Sequence, residues 1–314
     1  MIPATMALAS GGGLFLANRA LAPIDQITRT AQRISAEDLS ERIGLRGTDD
    51  EVGRLVLTFD MMLARLEGAF TRQRQFVTDA SHELRTPLTA IIGQIDVALS
   101  WPESAENLRA TLESVREQAQ RLARLANDLL FLARADAPPV VHAVEPVDLS
   151  ALLPAIVTQV EPLAAARRQT ITLAPLPALM VQGNEDQLIR MLLNLLDNAI
   201  RYTPPGGRIV LGWARVNGMI RISINDTGPG IAPEHMPHVF DRFYRIDRGR
   251  SRAQGGSGLG LAIAQSIAHA HGGRITLESV VAQGSTFTVI IPETESVPRE
   301  ARIHNGAAVQ RQPA

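Results

Sequence analysis

The longest regularity in the chain is a set of apolar positions that step by three and four residues. Leu55, Phe59, Met62, Leu66, Ala69, Gln73, Phe76 and Ala80 make one run. Ile24, Ile27, Ala31 and Ile34 make a shorter run before it, and Leu108, Leu112, Val115, Ala119, Leu122, Ala126, Leu129 and Ala133 make a third. This is the a/d spacing of a coiled coil, in which a narrow stripe faces a partner helix. Seams so narrow are not closed by one chain folding on itself, so a parallel dimer with helices paired across a two-fold axis is expected. A monomeric helical bundle is the alternative. A polar connector holding Asp38, Leu39, Ile43, Gly44 and Gly47 separates the first two runs.

The period changes after Ala135. Ala137, Pro138 and Pro139 cannot continue a helix, and the stretch to Pro146 reads as a linker. Beyond it the pattern is mixed. Asn184 to Ile200 is a helical pattern with Asn184 placed to cap it. Arg208–Val216 and Met219–Asn225 alternate around Asn217-Gly218, a two-residue hairpin signal. Leu259–His271 reads as helix, and Arg274–Val281 with Thr286–Ile291 as a closing hairpin. Residues 293–314 are polar and read as a disordered tail.

At the other end, Met1 to Asn18 carries no charge, and Ile2, Met6, Leu8, Leu14, Phe15 and Leu16 make it apolar, though Pro3, Ser10 and Gly11 to Gly13 dilute it. It has the minimum length of a membrane span, lacks the basic start of a signal peptide, and is followed by Arg19, Arg29 and Arg33. A membrane helix, or the remnant of one, with the rest of the chain cytoplasmic is expected; a disordered artificial start is the alternative.

Composition removes several chemistries. The 314 residues include no cysteine, which excludes disulfides, thiolate zinc sites and a cysteine nucleophile. All 31 Lys+Arg residues are arginine. A P-loop and the lysine-based phosphate grip of the Ser/Thr protein kinases are therefore absent. A net charge of -1 offers no field for holding nucleic acid, which is not expected as a partner.

Four local motifs carry chemistry. In Ser81-His82-Glu83-Leu84-Arg85-Thr86-Pro87-Leu88, the seam through Phe76, Ala80, Leu84, Leu88, Ile91 and Ile95 turns His82 outward, where an imidazole can act as a nucleophile. Glu83 can accept from one ring nitrogen and set the tautomer, and Pro87 should bend the helix beside the histidine. In Asn194-Leu195-Leu196-Asp197-Asn198-Ala199-Ile200-Arg201-Tyr202-Thr203, Asn194 and Asn198 share a helix face, and their carboxamide oxygens suit Mg²⁺. Asp226-Thr227-Gly228-Pro229-Gly230-Ile231 follows a strand and offers a carboxylate for an exocyclic amine and glycines that let backbone approach a flat ring. Gly255-Gly256-Ser257-Gly258-Leu259-Gly260-Leu261 opens a helix and can bind an anion without lysine. Each motif alone has an ordinary structural reading as helix surface or turn.

In this order and spacing the set resembles the cytoplasmic half of a bacterial sensor histidine kinase, over residues 19–292. His82 falls in the phosphoacceptor box and Asn194–Thr203 in the N box. The two glycine motifs match the glycine boxes, and Phe240-Asp241-Arg242-Phe243-Tyr244 resembles the F box. The upstream seams resemble a HAMP relay, with Pro23 early in its first helix and Asp50–Leu55 opening the second. Ser35–Ile43 is similar to the relay of the heavy-metal (copper or silver) sensors.

The resemblance implies a fold and a site. A membrane segment (1–18), a HAMP-like relay (19–70) and a dimerisation and phosphotransfer domain (71–137) would form an all-α, dimeric coiled-coil and four-helix part. A linker (138–147) would lead to an α/β two-layer sandwich of Bergerat type (148–292), followed by the tail (293–314). ATP would lie in that sandwich, with Asp226 reading adenine and Asn198 holding Mg²⁺, supported by Asn194. Arg201, Tyr202, Gly228, Gly230, Gly256, Gly258, Leu259 and Gly260 would complete the pocket under a lid from Arg245 to Gly260. His82 would take the γ-phosphoryl group with Glu83 as acid/base partner and pass it to an aspartate of a response regulator. Thr86 occupies the position used for dephosphorylating the regulator. Arg201 stands where the family usually has lysine and keeps the charge. Before Arg19 there is no room for the usual extracytoplasmic sensor, so the expectation is either a fragment of a longer chain or a signal that arrives through the membrane or a partner protein. Two other classes fit the residues less well: a chaperone-, topoisomerase- or mismatch-repair-type ATPase, which lacks an upstream His-Glu box, and a non-catalytic adaptor, for which loss of Asn198, Asp226 or a glycine would speak, and none is lost.

Overall fold

The computed structural model describes residues 11, 28, 42, 51–101, 104–135, 145–246 and 256–294. The expected membrane segment, the first helical run, the relay motif at 35–43 and most of the lid lie outside the described residues. The chain divides into two compact units, Met1–His82 and Glu83–Ala314.

Helix α1 (Glu51–Ser100) runs for 50 residues and continues through Pro87. In the first unit its buried apolar side chains, among the described residues, are Val56 and Leu63, whereas Leu55, Met62 and Leu66 of the expected seam are 41–54% exposed. One chain covers one side of the apolar arc and leaves the a/d stripe beside it uncovered. Glu67 on this stretch pairs with Arg42.

In the second unit the remainder of α1 and α2 (Ala105–Ala135) form a helical hairpin, joined where Gln94 Nε2 donates to Ser114 Oγ at 3.1 Å. Leu88, Ile92, Ile95 and Leu99 on α1 and Leu108 and Leu112 on α2 remain exposed. The deepest residues of α2 are Leu125 and Leu132, which lie off the expected seam. They belong, with Leu84 of α1 and Leu129 and Phe131 of α2, to the core of the α/β layer that follows.

That layer begins with β1 (Glu145–Asp148), which opens inside the expected linker and pairs antiparallel with β3 (Met180–Gly183). The main sheet has five strands in the order β2-β4-β5-β7-β6: β2 (Thr170–Leu173), β4 (Arg208–Val216), β5 (Met219–Asp226), β6 (Arg274–Val280) and β7 (Gly284–Pro292). All pairs are antiparallel except β2 with β4. Asn217 and Gly218 turn the β4–β5 hairpin with φ of 52° and 72°, the left-handed pair a two-residue turn demands. One register layer, Leu211–Ile224–Phe287–Leu277, crosses four strands.

Three helices cover one face of this sheet: α3 (Leu149–Ala166), α4 (Glu185–Tyr202) and α5 (Gly260–Ala270). This is the two-layer α/β arrangement expected, and the whole chain joins it to an all-α part. Among the described residues α3 alone is long and apolar enough to cross a membrane, with a mean hydropathy of 1.4. It instead lays Leu149, Leu152, Leu153, Ile156, Val160 and Ala164 into the core, and Asp148 caps it by accepting from Ser150 N–H at 2.9 Å. Residues 293 and 294, expected in the tail, are held: Glu293 pairs with Arg215 at 2.5 Å and Thr294 N–H donates to Met180 at 3.0 Å.

Candidate active site

Helix α4 carries the amides. Its start is fixed by Asn184, whose side chain accepts from Gln187 N–H at 3.0 Å. The N–H of Asn184 donates to Nε2 of His271 at 3.1 Å, while Nδ1 of His271 lies 2.7 Å from the Ile267 carbonyl. That pair of bonds sets the tautomer: Nδ1 donates and Nε2 accepts. Leu188, Met191, Leu192, Leu195, Leu196, Ala199 and Ile200 are buried and clamp the helix to the sheet. The opposite face presents Asn194, Asp197, Asn198 and Arg201, spaced by three and four. At the C-terminal end the Gln169 amide donates to the carbonyls of Ile200 at 2.9 Å and Thr203 at 2.5 Å. Arg167 donates to Ile200 and Arg201 carbonyls at 3.2 and 3.3 Å.

Asn194 Nδ2 is buried and finds no hydrogen-bond partner among the described residues. A buried unpaired donor costs about 1–3 kcal/mol, which makes this position a candidate for meeting a ligand acceptor. The amide lies beside the glycine loop: a Cβ on Gly260 would sit 3.1 Å from Asn194 Oδ1. Arg201 is drawn to Asp197 at 2.7 Å, and a Cβ at Gly256 would overlap its Nη1. Gly258 has φ of +73°, and its carbonyl accepts from Phe243 N–H at 3.0 Å, tying the loop to the Phe240–Tyr244 segment. Tyr244 OH lies 2.9 Å from Nδ1 of His235, and Leu259 is fully buried at the start of α5.

The other wall is the end of β5. Asp226 is 5% exposed, opposite Ile209 on β4 and Ser285 on β7. Burial pushes its carboxyl above the usual range, against backbone N–H groups of Gly228 and Ser285 that pull it down. Gly228 N–H donates to Oδ1 at 2.8 Å, and a Cβ on Gly228 would come within 3.2 Å of the Tyr202 carbonyl. Gly230 packs against the Val280 carbonyl, and the loop is pinned by Ala282 N–H to Pro229 at 2.7 Å and Ile231 N–H to Ser279 Oγ at 2.8 Å. Strand end, amide-bearing helix and glycine loop thus converge in the second unit. On α1, His82 and Thr86 are exposed and Glu83 is half-buried.

Residues 183–295 match the family described as histidine kinase-, DNA gyrase B- and HSP90-like ATPase; residues 72–138 match the His kinase A (phospho-acceptor) domain and residues 15–68 the HAMP domain. The sensor protein CutS of Streptomyces coelicolor is 38% identical over 281 residues, covering 89% of this chain and 67% of CutS. This chain belongs to the sensor histidine kinases. The sensor histidine kinase CusS of Escherichia coli O157:H7 is 38% identical over 280 residues, and the chain spans 58% of its length. Among solved structures, the Acinetobacter baumannii histidine kinase AdeS superposes with a TM-score of 0.56 at 26% identity, over 68% of this chain and 98% of AdeS. Full-length ShkA in complex with AMPPNP superposes with a TM-score of 0.54 at 29% identity, over 71% of this chain and 46% of ShkA.

Against the family's motifs, the structure sets Gly260 beside Asn194, Gly256 beside Arg201, Gly228 beside Asp226 and Tyr202, and Gly258 beside Phe243, with Leu259 buried between the last two loop glycines and Asn198 on the same helix face as Asn194. Sequence reasoning missed Gln169 and Arg167, which cap the N-box helix from 31 to 34 residues upstream. It also missed Asp197, whose i,i+4 spacing to Arg201 was a readable signal, and Ser279, for which no local signal existed.

Proposed function

We propose that the chain is an ATP-dependent protein-histidine kinase that phosphorylates its own His82 and hands the phosphoryl group to an aspartate on a response regulator. The observation that carries the nucleotide part is the buried, unpartnered amide of Asn194 beside the glycine loop, on one face with Asn198 and Arg201. An anionic triphosphate would answer both needs: its oxygens would accept from the Asn194 amide and the Arg201 guanidinium. Among the described residues no three His, Asp or Glu side chains converge. The Asn198 carboxamide oxygen would hold a Mg²⁺ ion, which would supply charge neutralisation at the phosphates. The buried Asp226 carboxylate would accept from the exocyclic amine of adenine, with Tyr202, Gly228 and Gly230 shaping the slot for the ring.

His82 is solvent-facing on a continuous helix. One ring nitrogen would form a bond to the γ-phosphorus as the bond to the β,γ-bridging oxygen breaks and ADP leaves. The proton on the other ring nitrogen would be taken by Glu83. Thr86, one turn on and also exposed, would position water for removing phosphate from the regulator. The exposed stripe Leu88, Ile92, Ile95, Leu99 with Leu108 and Leu112 supports a homodimer, since a stripe of that length needs a cover. The uncharged segment 1–18 followed by arginines supports a membrane anchor with the catalytic part in the cytoplasm. Domains at 19–70, 71–137 and 148–292 fit this reading, as does membership of the heavy-metal sensor branch through the motif at 35–43.

The test is labelling with γ-labelled ATP. Wild type should acquire acid-labile, alkali-stable phosphate, and His82→Gln should acquire none; labelling that persists in the variant sinks the assignment.

A further inference from the structure

We propose that Asp197 is a positioning residue of the phosphate grip: it holds the Arg201 guanidinium under Gly256 so that the Nη1 edge faces the glycine loop. The proposal deepens the nucleotide-binding reading above and rests on it.

The two side chains are tied by the shared face of α4. Asp197 Oδ2 accepts from Arg201 Nη2 at 2.7 Å. Arginine side chains carry several rotors and sample widely when untethered. Here the rotors are constrained at both ends. The main chain is held by Arg167, which donates to the Ile200 and Arg201 carbonyls. The tip is held by Asp197. The residue facing that tip is Gly256, where a Cβ would overlap Nη1. The glycine loop is thus shaped around an arginine already in place, and no larger residue fits at 256 while Arg201 keeps this pose.

The donor arithmetic fits. A guanidinium has five N–H donors in a rigid fork. Asp197 engages Nη2, which leaves the Nη1 pair directed at the loop whose backbone N–H groups form the anion site. The burial is asymmetric: the Arg201 side chain is 19% exposed and that of Asp197 64%. The carboxylate therefore stays hydrated and screened from an incoming phosphate, while the guanidinium it steers is drawn in from solvent. Lysine, a point charge on a flexible stem, would gain less from such a partner than a planar fork does.

The experiment measures Mg-ATP binding by calorimetry on the 314-residue chain, together with autophosphorylation at varied ATP. Asp197→Asn should raise Kd and KM about fivefold and leave the rate at saturating ATP within about twofold, the pattern of lost binding rather than lost chemistry. Asp197→Glu, which reaches an arginine one turn on equally well, should restore both. In an Arg201→Gln background, Asp197→Asn should add nothing to Kd, because the effect runs through the guanidinium. An unchanged or lower Kd in Asp197→Asn, or an effect that survives in the Arg201→Gln background, overturns the proposal. Failure of the wild-type chain to bind Mg-ATP overturns the nucleotide reading itself, and this one with it.

Discussion

Asp226 is a carboxylate kept inside the protein with only backbone N–H groups to support it. The direction of its shift fixes a dependence on pH. Because the folded-state value is raised, the native chain holds this proton more tightly than the unfolded chain. Its contribution to stability is present at low pH and is lost as pH rises from about the unfolded value through the folded one. At neutral pH the nucleotide-free chain bears the cost of a buried charge. Asp226→Asn removes the titration, so the variant should gain on wild type as pH rises from 4 to 7 in urea unfolding. A difference between the two that stays constant with pH would show that the carboxylate's burial is not costly. The same variant should bind ATP at least about tenfold more weakly, since its amide would oppose the exocyclic amine donor-to-donor. A residue that weakens the empty protein and serves the loaded one is what sets a binding group apart from a packing group.

Among elements, α4 was the most legible. Asn184 announced the cap, the buried face follows the apolar period from Leu188 to Ile200, and the polar face carries the four residues of interest. The β4–β5 hairpin was legible for the same reason: Asn217-Gly218 is a local signal for a local turn. What could not be read were pairings between distant positions. Strand β2 has four residues and pairs in parallel with β4, and Gln169 meets Ile200 and Thr203 only because that pairing brings it there. The link between α2 and α4 is of the same kind. Arg190 reaches Asp128 at 2.5 Å, 62 residues away, and its guanidinium stacks 4.4 Å from the centre of the Phe131 ring. Burial raises the Asp128 carboxyl while Arg190 lowers it. Replacing Arg190 by Ala leaves a partly buried carboxylate unpaired and an aromatic face bare, at a cost of about 1–2 kcal/mol for a pair a third exposed. Hydrogen exchange should then quicken in residues 125–135 and not in 88–99. Uniform acceleration along both helices would mean that the pair does not fasten α2 locally.

At the scale of the whole molecule, the seams anticipated a partner and the single chain leaves room for one. Ile92 and Leu112 are 50% and 59% exposed on a protein whose α/β core is otherwise well sealed. A glutamate at either position would place like charges across a two-fold interface. Ile92→Glu and Leu112→Glu should sediment as monomers at concentrations where wild type is dimeric, with the circular dichroism of the α/β layer unchanged. A wild-type chain that sediments as a monomer would refute the dimer outright. The α/β layer, and the elements on which its candidate site residues sit, were legible because five motifs are local. The stripe Val56–Leu63 and the seating of Leu125 and Leu132 were not, because which side of an amphipathic helix is covered depends on what folds against it.

The unbroken run of α1 has a mechanical meaning. At about 1.5 Å per residue, the stretch of α1 from Glu51 to His82 makes about 48 Å of helix within the first unit, with no proline in it. Rotation imposed near Glu51 is therefore carried along it to His82, whereas Pro87, farther on, lacks an N–H and leaves the Glu83 carbonyl without its helical bond. His82 stands just ahead of that softer joint, so it turns with the shaft, and the compliance comes after it.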